Sequence, residues 1–363
     1  MNKIIYLDSA ATYQKPVAVV DAQVDFLRNH YANSGRGVCE RSVWVDDMLV
    51  RTRTRVAEFM CATGPENIVF TSGTTDSMNQ ISHMLNLTAD SIVAVSDLDH
   101  HSARLPFVMT GAKIITCPLD ENFNIDENNV PYADVLILTA MSNVMGQAQN
   151  VAGIVARARE KNRDVIVVVD AAQFVVHDKI DVRAWDADFV CWSAHKIGAD
   201  TGLGIMYMKN PEIWKPVKFG GGMVNRISGE EVLYSCTPDV FEAGTLPLTQ
   251  ISGLSVAIDS LEQNRPNLEL LRYAYDELSK FPRVKILTGR GAAILTFVVD
   301  GIHVLDFGVM MGTHGICLRV GNMCATWIHR LLGITASIRI SIGGYNTIDD
   351  INQALTYIKD IVK

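Results

Sequence analysis

Asp170 closes the apolar run Val165-Ile166-Val167-Val168-Val169, and Lys196 stands behind the next such run, after the turn Ser193-Ala194-His195. A carboxylate at the end of a buried run loses its water, which is costly unless a cation accompanies it. A lysine amine behind a strand is desolvated in the same way, which lowers its pKa and frees it to attack a carbonyl. One chemistry uses both groups at once. In a pyridoxal phosphate site the lysine holds the aldehyde as a Schiff base, and the aspartate keeps the pyridinium nitrogen protonated. Taken singly, Asp170 would serve as a helix cap and Lys196 as an exposed loop lysine, so the weight lies on their ending successive strands.

Other residues add to this pair. Gly73-Thr74-Thr75-Asp76 follows an apolar run and opens a helical pattern, where free backbone N–H groups and the Thr74 and Thr75 hydroxyls would hold a phosphate. A capped strand-to-helix turn uses the same residue types. His100, next to His101, follows Val93 to Leu98. An imidazole there can lie over an aromatic ring and move a proton, or sit in a loop with its hydrogen bonds satisfied. Cys324 lies in Leu318-Arg319-Val320-Gly321-Asn322-Met323-Cys324-Ala325, a loop in which a thiol beside Arg319 would form the nucleophilic thiolate, the alternative being a buried small apolar residue. Arg339 interrupts the β-like stretch Ser337-Ile338-Arg339-Ile340-Ser341. Turned inward, its planar fork needs a carboxylate, either a substrate's or an internal one.

Such residues converge only on a scaffold that gathers strand ends. From about residue 65 to 210, β-branched runs alternate with helical patterns, the signature of an α/β fold around a mostly parallel sheet. The predicted strands are Asn67 to Thr71, Ser91 to Ser96, Lys113 to Cys117, Val135 to Ala140, Val165 to Asp170, Phe189 to Ser193 and Gly204 to Met208. Gly73 to Thr75, His100, Asn143, Asp170 to Gln173 and Ser193 to Lys196 all lie just past strand ends, where ligands collect in such sheets. Longer helical patterns follow, at Ile251 to Gln263 and Leu268 to Lys280, then strands near Val284 to Leu287 and Ala292 to Val299 and a last helix from Ile348 to Ile361. This predicts a large domain over residues 15–250 and a smaller α+β domain from 1–14 and 251–363, in keeping with a chain of 363 residues. A net charge of −8 argues against a nucleic-acid surface, and no apolar stretch is long enough to span a membrane. The first eight residues lack the apolar core of a signal peptide, so a cytoplasmic location is expected. The seven cysteines, widely spaced and without a C-x-x-C pair, suggest neither a disulfide framework nor a metal site.

Taken together, these stretches resemble the class V aminotransferase family of fold-type I pyridoxal phosphate enzymes, and within it the SUF-type cysteine desulfurases and selenocysteine lyases. Carrying the resemblance are Tyr6-Leu7-Asp8-Ser9-Ala10-Ala11-Thr12, Phe70-Thr71-Ser72-Gly73-Thr74-Thr75, Asp99-His100-His101-Ser102, Ser142-Asn143-Val144-Met145-Gly146 and Asp170-Ala171-Ala172-Gln173. Ser193-Ala194-His195-Lys196, Gly220-Gly221-Gly222, Phe241-Glu242-Ala243-Gly244-Thr245 and Arg319 to Ala325 complete it, in matching order and spacing.

The resemblance implies a mostly parallel seven-stranded sheet and a site whose parts can be named. Lys196 would anchor the cofactor, Asp170 would pair with the pyridine nitrogen, Gln173 would donate to the ring phenolic oxygen and His100 would stack on the ring. Thr75, Ser193 and His195 would hold the phosphate, joined by Thr245 from the neighbouring subunit of a homodimer. Asn143 and Arg339 would bind the substrate carboxylate, with Arg319 near the substrate side chain. The implied reaction takes L-cysteine or L-selenocysteine. The freed Lys196 amine removes the α-proton, and Cys324 attacks the sulfur, keeps it as a persulfide and releases alanine. The sulfur then passes to an acceptor protein for iron-sulfur cluster assembly. An aminotransferase or lyase in which Cys324 is incidental, and a cofactor-binding sulfur-delivery scaffold without turnover, are the alternatives. Three departures stand out: Ala199-Asp200-Thr201-Gly202 where the family commonly has Gly-Pro-Thr-Gly, Asn322 and Met323 where histidines are frequent, and a shorter second lobe.

Overall fold

The structure is a computed structural model that describes residues 4–35 and 37–363, so the first three residues of the expected N-terminal segment lie outside it. Strands are numbered here in chain order. After the short β1 (Ile5–Tyr6), seven strands build the main sheet: β2 (Ile68–Thr71), β3 (Ile92–Val95), β4 (Lys113–Thr116), β5 (Val135–Thr139), β6 (Ile166–Asp170), β7 (Phe189–Ser193) and β8 (Gly204–Met208). Their order is β2-β8-β7-β6-β5-β3-β4, with β8 antiparallel to both neighbours and the other pairs parallel. All seven predicted strands form, each within a residue or two of its expected ends.

The apolar runs are continuous because the sheet is covered on both faces. Alternate residues of one strand enter different cores: Leu136, Leu138, Val167, Val169, Val190 and Trp192 belong to one cluster, and Val135, Ile137, Val168, Phe189 and Cys191 to another. Each fully buried aliphatic side chain contributes about 1.5–3 kcal/mol. Parallel strands must therefore release their polar residues beyond the same edge. Ser96, Asp99, Thr139, Asp170 and Ser193 emerge there, buried. Gly204 makes the close fit at this edge possible. It pairs with Thr71 on one side and Ser193 on the other, and a Cβ on it would fall 2.4 Å from the Gly73 Cα.

The second sheet has the order β11-β12-β15-β14, from β11 (Val284–Ile286), β12 (Leu295–Val299), β14 (Arg319–Gly321) and β15 (Ser337–Ile340). β1 joins this lobe by pairing in parallel with β13 (Ile316–Cys317), and Ile5 and Leu7 enter its core. Tyr13 already belongs to the larger core, so residues 8–13 cross from one lobe to the other. The helix Leu254–Gln263 packs Leu254, Ala257, Ile258 and Leu261 into the larger core, against the helices Val17–Asp25 and Glu40–Phe59. The smaller core resumes only with Leu270 and Leu271. We therefore propose the division near residues 264–267, later than the expected 250, because an amphipathic period marks which face is buried but not in which core. An exposed hairpin of β9 (Val224–Ser228) and β10 (Glu231–Tyr234) was not foreseen from sequence. No helix among the described residues is long and apolar enough to cross a membrane.

Candidate active site

Beyond the carboxyl ends of β5, β6 and β7 lies a cavity of about 260 Å³. Thr74, Thr75, His100, Asn143, Asp170, Gln173, Ser193, His195 and Lys196 all line it, so nine sequence-predicted residues meet in one place. Lys196 sits on the short turn Ala194–Ile197 that follows β7 directly. Its Nζ donates to the Ala10 carbonyl at 2.5 Å and to the Ala11 carbonyl at 3.2 Å. Burial, helped by the charge of Arg339, brings this amine down to about 8, against the pull of Asp170 and Asp8. A substantial fraction is therefore neutral, and nucleophilic, near physiological pH.

Asp170 ends β6 only 4% exposed. Burial raises its carboxyl to about 6, against the opposing pull of the Ala172 backbone N–H, donating at 2.9 Å, and of Lys196. A cation at this point would restore the ionised form. Gln173, one turn on, gives its Nε2 to the Ala10 carbonyl at 2.7 Å and leaves its buried Oε1 unpartnered among the described residues.

On another wall, Gly73 takes a φ of +148° that favours glycine, and the helix Thr74–Met84 begins there. The Ser193 hydroxyl ties this helix start to the end of β7, accepting from the Thr74 N–H at 2.8 Å and lying 2.8 Å from the Thr74 hydroxyl. Thr75 is exposed beside them. His195 places Nδ1 3.2 Å from the Thr12 hydroxyl, and burial with the adjacent Lys196 keeps it neutral, at about 4. His100 caps the helix His101–Val108. Its Nδ1 accepts from the Ser102 N–H at 3.2 Å, which assigns the proton of the neutral ring to Nε2, and burial lowers it to about 4.

Arg339 comes from the smaller lobe and is 2% exposed. Its Nη1 donates to the Asn143 carbonyl at 2.9 Å, its Nη2 to Asp8 at 3.1 Å, and its buried Nε has no partner among the described residues. The internal carboxylate expected as one alternative is therefore present, yet it leaves part of the fork free. Asp8 also accepts from Arg319, which faces Arg339 across the β14–β15 pair and is half exposed. Asn143 gives its Nδ2 to the Met323 carbonyl at 2.7 Å and keeps a buried Oδ1 without a partner among the described residues.

Cys324 does not line the inner cavity. It is exposed on a larger, open cleft that it shares with Thr75, His100, His101 and Ser102. The two cavities meet at Thr75, His100 and Ser102. Thr245 stands apart from both. It is exposed and lines a third cavity with Gly220 to Gly222 and the β9 strand, so within one chain it is not brought to Lys196. The departure at Ala199-Asp200 has a local explanation: Asp200 pairs with Lys15 at 2.9 Å and accepts from Gln23 at 2.7 Å, fastening the turn behind Lys196 to the first helix.

Several site groups escaped the sequence reading. Asp8 closes an apolar run, the signal that identified Asp170, while Asp99 follows the polar Ser96 and Asp97 and carries no such signal; both are buried. Asp99 accepts from the Thr139 hydroxyl and the Ser96 N–H, each at 2.7 Å, and burial raises it to about 7. The carbonyls of Ala10 and Ala11 carry no side-chain signal at all.

The model of the Aminotransferase class-V family matches residues 5–354. A probable cysteine desulfurase of Vibrio cholerae is 32% identical, covering 99% of this chain and 94% of that protein. A cysteine desulfurase of Cronobacter sakazakii is 33% identical over 96% and 91%. Among solved structures, the cysteine desulfurase CsdA of Escherichia coli, in its S-sulfonic acid form, superimposes with a TM-score of 0.91 at 30% identity, covering 98% of this chain and 94% of that one. The apo cysteine desulfurase of Thermococcus onnurineus NA1 gives 0.94 at 27% identity, over 99% and 94%.

Proposed function

The chain belongs to the class-V aminotransferase family, and on that premise we propose that it is a pyridoxal phosphate-dependent cysteine desulfurase. The observation that carries this reading is the meeting of two cavities at His100: an enclosed one around Lys196 and Asp170, and an open one on which Cys324 is exposed. An aminotransferase has no use for a thiol at that rim.

The inner cavity fits the cofactor on its own terms. It holds a buried carboxyl raised by desolvation, a lysine lowered by it, a helix start with hydroxyls, and buried atoms on Gln173, Asn143 and Arg339 that have no partner among the described residues. Such orphaned atoms are rare in finished interiors and mark where a polar ligand belongs. Asp170 would face the pyridine nitrogen, Gln173 the phenolic oxygen, His100 the ring, and Thr74, Thr75, Ser193 and His195 the phosphate. When bound, the ring supplies an electron sink that allows the Cα–H bond and then the Cβ–S bond of the substrate to break.

The remaining work falls to side chains. Arg339 and Asn143 hold the substrate carboxylate, with Arg319 beside the side chain. Lys196, once the substrate amine takes its place, accepts the Cα proton and hands a proton on, for which an amine near 8 is suited. Neutral His100, with its proton on Nε2, is placed to donate. The Cys324 thiolate forms a bond to the substrate sulfur as the Cβ–S bond breaks, and the electron pair left on carbon takes up a proton. Cysteine and enzyme thiol thus become alanine and enzyme persulfide, with no outside oxidant or reductant. Selenocysteine would meet the same residues.

We further propose that the persulfide sulfur passes to an acceptor protein for iron-sulfur cluster assembly. The exposure of Cys324 supports this, because an acceptor must reach it. Thr245, out of reach of its own chain's cavity, supports a homodimer in which it completes the neighbour's phosphate site. The seven cysteines, all free, support a reducing compartment such as the cytoplasm.

Incubating the cofactor-loaded protein with L-cysteine should yield alanine and a persulfide on Cys324. Cys324→Ser should abolish both while keeping the visible absorbance of bound cofactor. Full desulfuration by that variant would overturn the thiol's role, and amino transfer dependent on a keto acid would favour the aminotransferase.

A further inference from the structure

The loop that carries Cys324 takes an unfavourable backbone. Met323 and Cys324 have φ of +51° and +54°, consecutive left-handed positions without a glycine. Such residues persist only where the surroundings hold them. Asn143 grips the Met323 carbonyl from the cavity side. Within the loop, Asn322 Oδ1 accepts from the Cys324 N–H at 3.2 Å, so the asparagine that departs from the family pattern stabilises the turn itself.

The other grip comes from His101. Its backbone N–H donates to the Cys324 carbonyl at 2.8 Å. Its ring Nε2 accepts from the Thr326 N–H at 3.3 Å and lies 2.9 Å from the Thr326 hydroxyl. Trp327 meets the imidazole edge to face, with centroids 5.2 Å apart. Arg104, one turn further along the helix His101–Val108, lies 4.3 Å over the Trp327 ring and is itself fixed by Asp97 at 3.2 Å. Met323 before Cys324, and Thr326 and Trp327 after it, are thus fastened to elements that frame the cleft.

We propose that His101, Thr326 and Trp327 form a clasp that holds the Cys324 loop closed against the helix carrying His100, so that His101 is a positioning residue for sulfur transfer. It acts through the loop and touches neither substrate nor cofactor. The inference rests on the reading of Cys324 as the sulfur-accepting nucleophile. Its consequence is a separation of steps: opening the clasp leaves activation of the amino acid intact and impairs only the attack on its sulfur.

The test uses His101→Ala in the full-length, cofactor-loaded protein. For L-cysteine, kcat should fall about 100-fold with KM within about twofold, since a misplacement of about 1 Å costs a reaction that much. Cysteine sulfinate, whose C–S bond breaks without a thiol's help, should react at an unchanged rate. The Thr326 amide should exchange its hydrogen at least about tenfold faster. His101→Gln, which can still accept from Thr326, should restore most of the cysteine rate. Trp327→Ala, which removes the wall and keeps the hydrogen bonds, should give a smaller loss of the same kind. Unchanged kcat for cysteine in His101→Ala, or equal losses on both substrates, would overturn the clasp while leaving the desulfurase reading intact. Full activity in Cys324→Ser would instead remove the reading on which the clasp rests.

Discussion

Asp8 is one carboxylate between two guanidiniums, and its removal has an effect that can be worked out from the geometry. In Asp8→Ala, Arg339 keeps its bond to the Asn143 carbonyl but loses its carboxylate partner, while its side chain stays 3% exposed. An unpaired charge left in such a position costs about 3–5 kcal/mol. Arg319 is about half exposed, so water compensates it and its share is at most about 1 kcal/mol. With an unfolding entropy of roughly 2.1 cal/mol/K per residue over 363 residues, the melting temperature should fall by about 4–7 °C. The assay is thermal unfolding of the cofactor-loaded protein with and without alanine. In the proposed role of Arg339 the product's carboxylate would supply the missing anion, so alanine should raise the melting temperature more in Asp8→Ala than in the wild type. A double variant, Asp8→Ala with Arg339→Met, should recover most of the loss, because it leaves no buried charge unpaired. A melting temperature within about 1 °C of wild type in the single variant would refute Asp8 as the charge partner of Arg339. So would a double variant less stable than the single one.

Two further outcomes can be measured. Asp170 is raised to about 6 in the fold from an ordinary value of 3.8, so the folded cofactor-free chain retains a proton that the unfolded chain releases as pH rises between them. That destabilises the wild type increasingly across this window. Cofactor-free Asp170→Asn should therefore gain stability relative to wild type from pH 4 to pH 7, by about 3 kcal/mol in total, read from urea midpoints. A difference that does not change with pH would refute the shift, and the loaded proteins should show the opposite order. Asp200→Ala removes the pair with Lys15 and the bond from Gln23, both partly exposed, and should cost about 1 kcal/mol while leaving pyridoxal phosphate affinity unchanged. Weakened cofactor binding in this variant would mean that the turn acts on Lys196 after all.

How far the sequence could be read followed from where each signal lay. The seven strands were legible because burial on both faces makes a strand apolar throughout, and the residues past their ends follow from the parallel arrangement. The helix Leu254–Gln263 was legible as a helix, but its place in the larger core was not, since its partners lie some 200 residues earlier in the helices Val17–Asp25 and Glu40–Phe59. Cys324 and Arg339 were legible as candidates, but the pairing of Arg339 with Asp8 was not. Asp8 ends the short run Ile4-Ile5-Tyr6-Leu7, whose partner strand lies more than 300 residues later. The hairpin of β9 and β10 has exposed faces and almost no apolar alternation to reveal it.

What the sequence hid most completely is a single stretch of backbone. Residues 8–13 cross between the lobes, and almost every one touches the site. Asp8 holds Arg339 and Arg319, Ala10 accepts from both Lys196 and Gln173, Ala11 accepts from Lys196, Thr12 meets His195, and the Tyr13 N–H donates to the His195 carbonyl at 3.1 Å. Most of these contacts use main-chain atoms, to which residue type is nearly indifferent. They explain how a buried lysine is accommodated: two carbonyls solvate the amine, and Asp170 and Asp8 are near enough to moderate the fall in its pKa. In the proposed roles, Lys196 would leave these carbonyls to anchor the cofactor, and Gln173 would turn from Ala10 toward the ring oxygen. The segment thus joins the small lobe, which carries Arg339 and the Cys324 loop, to the turn that carries Lys196 in the large one.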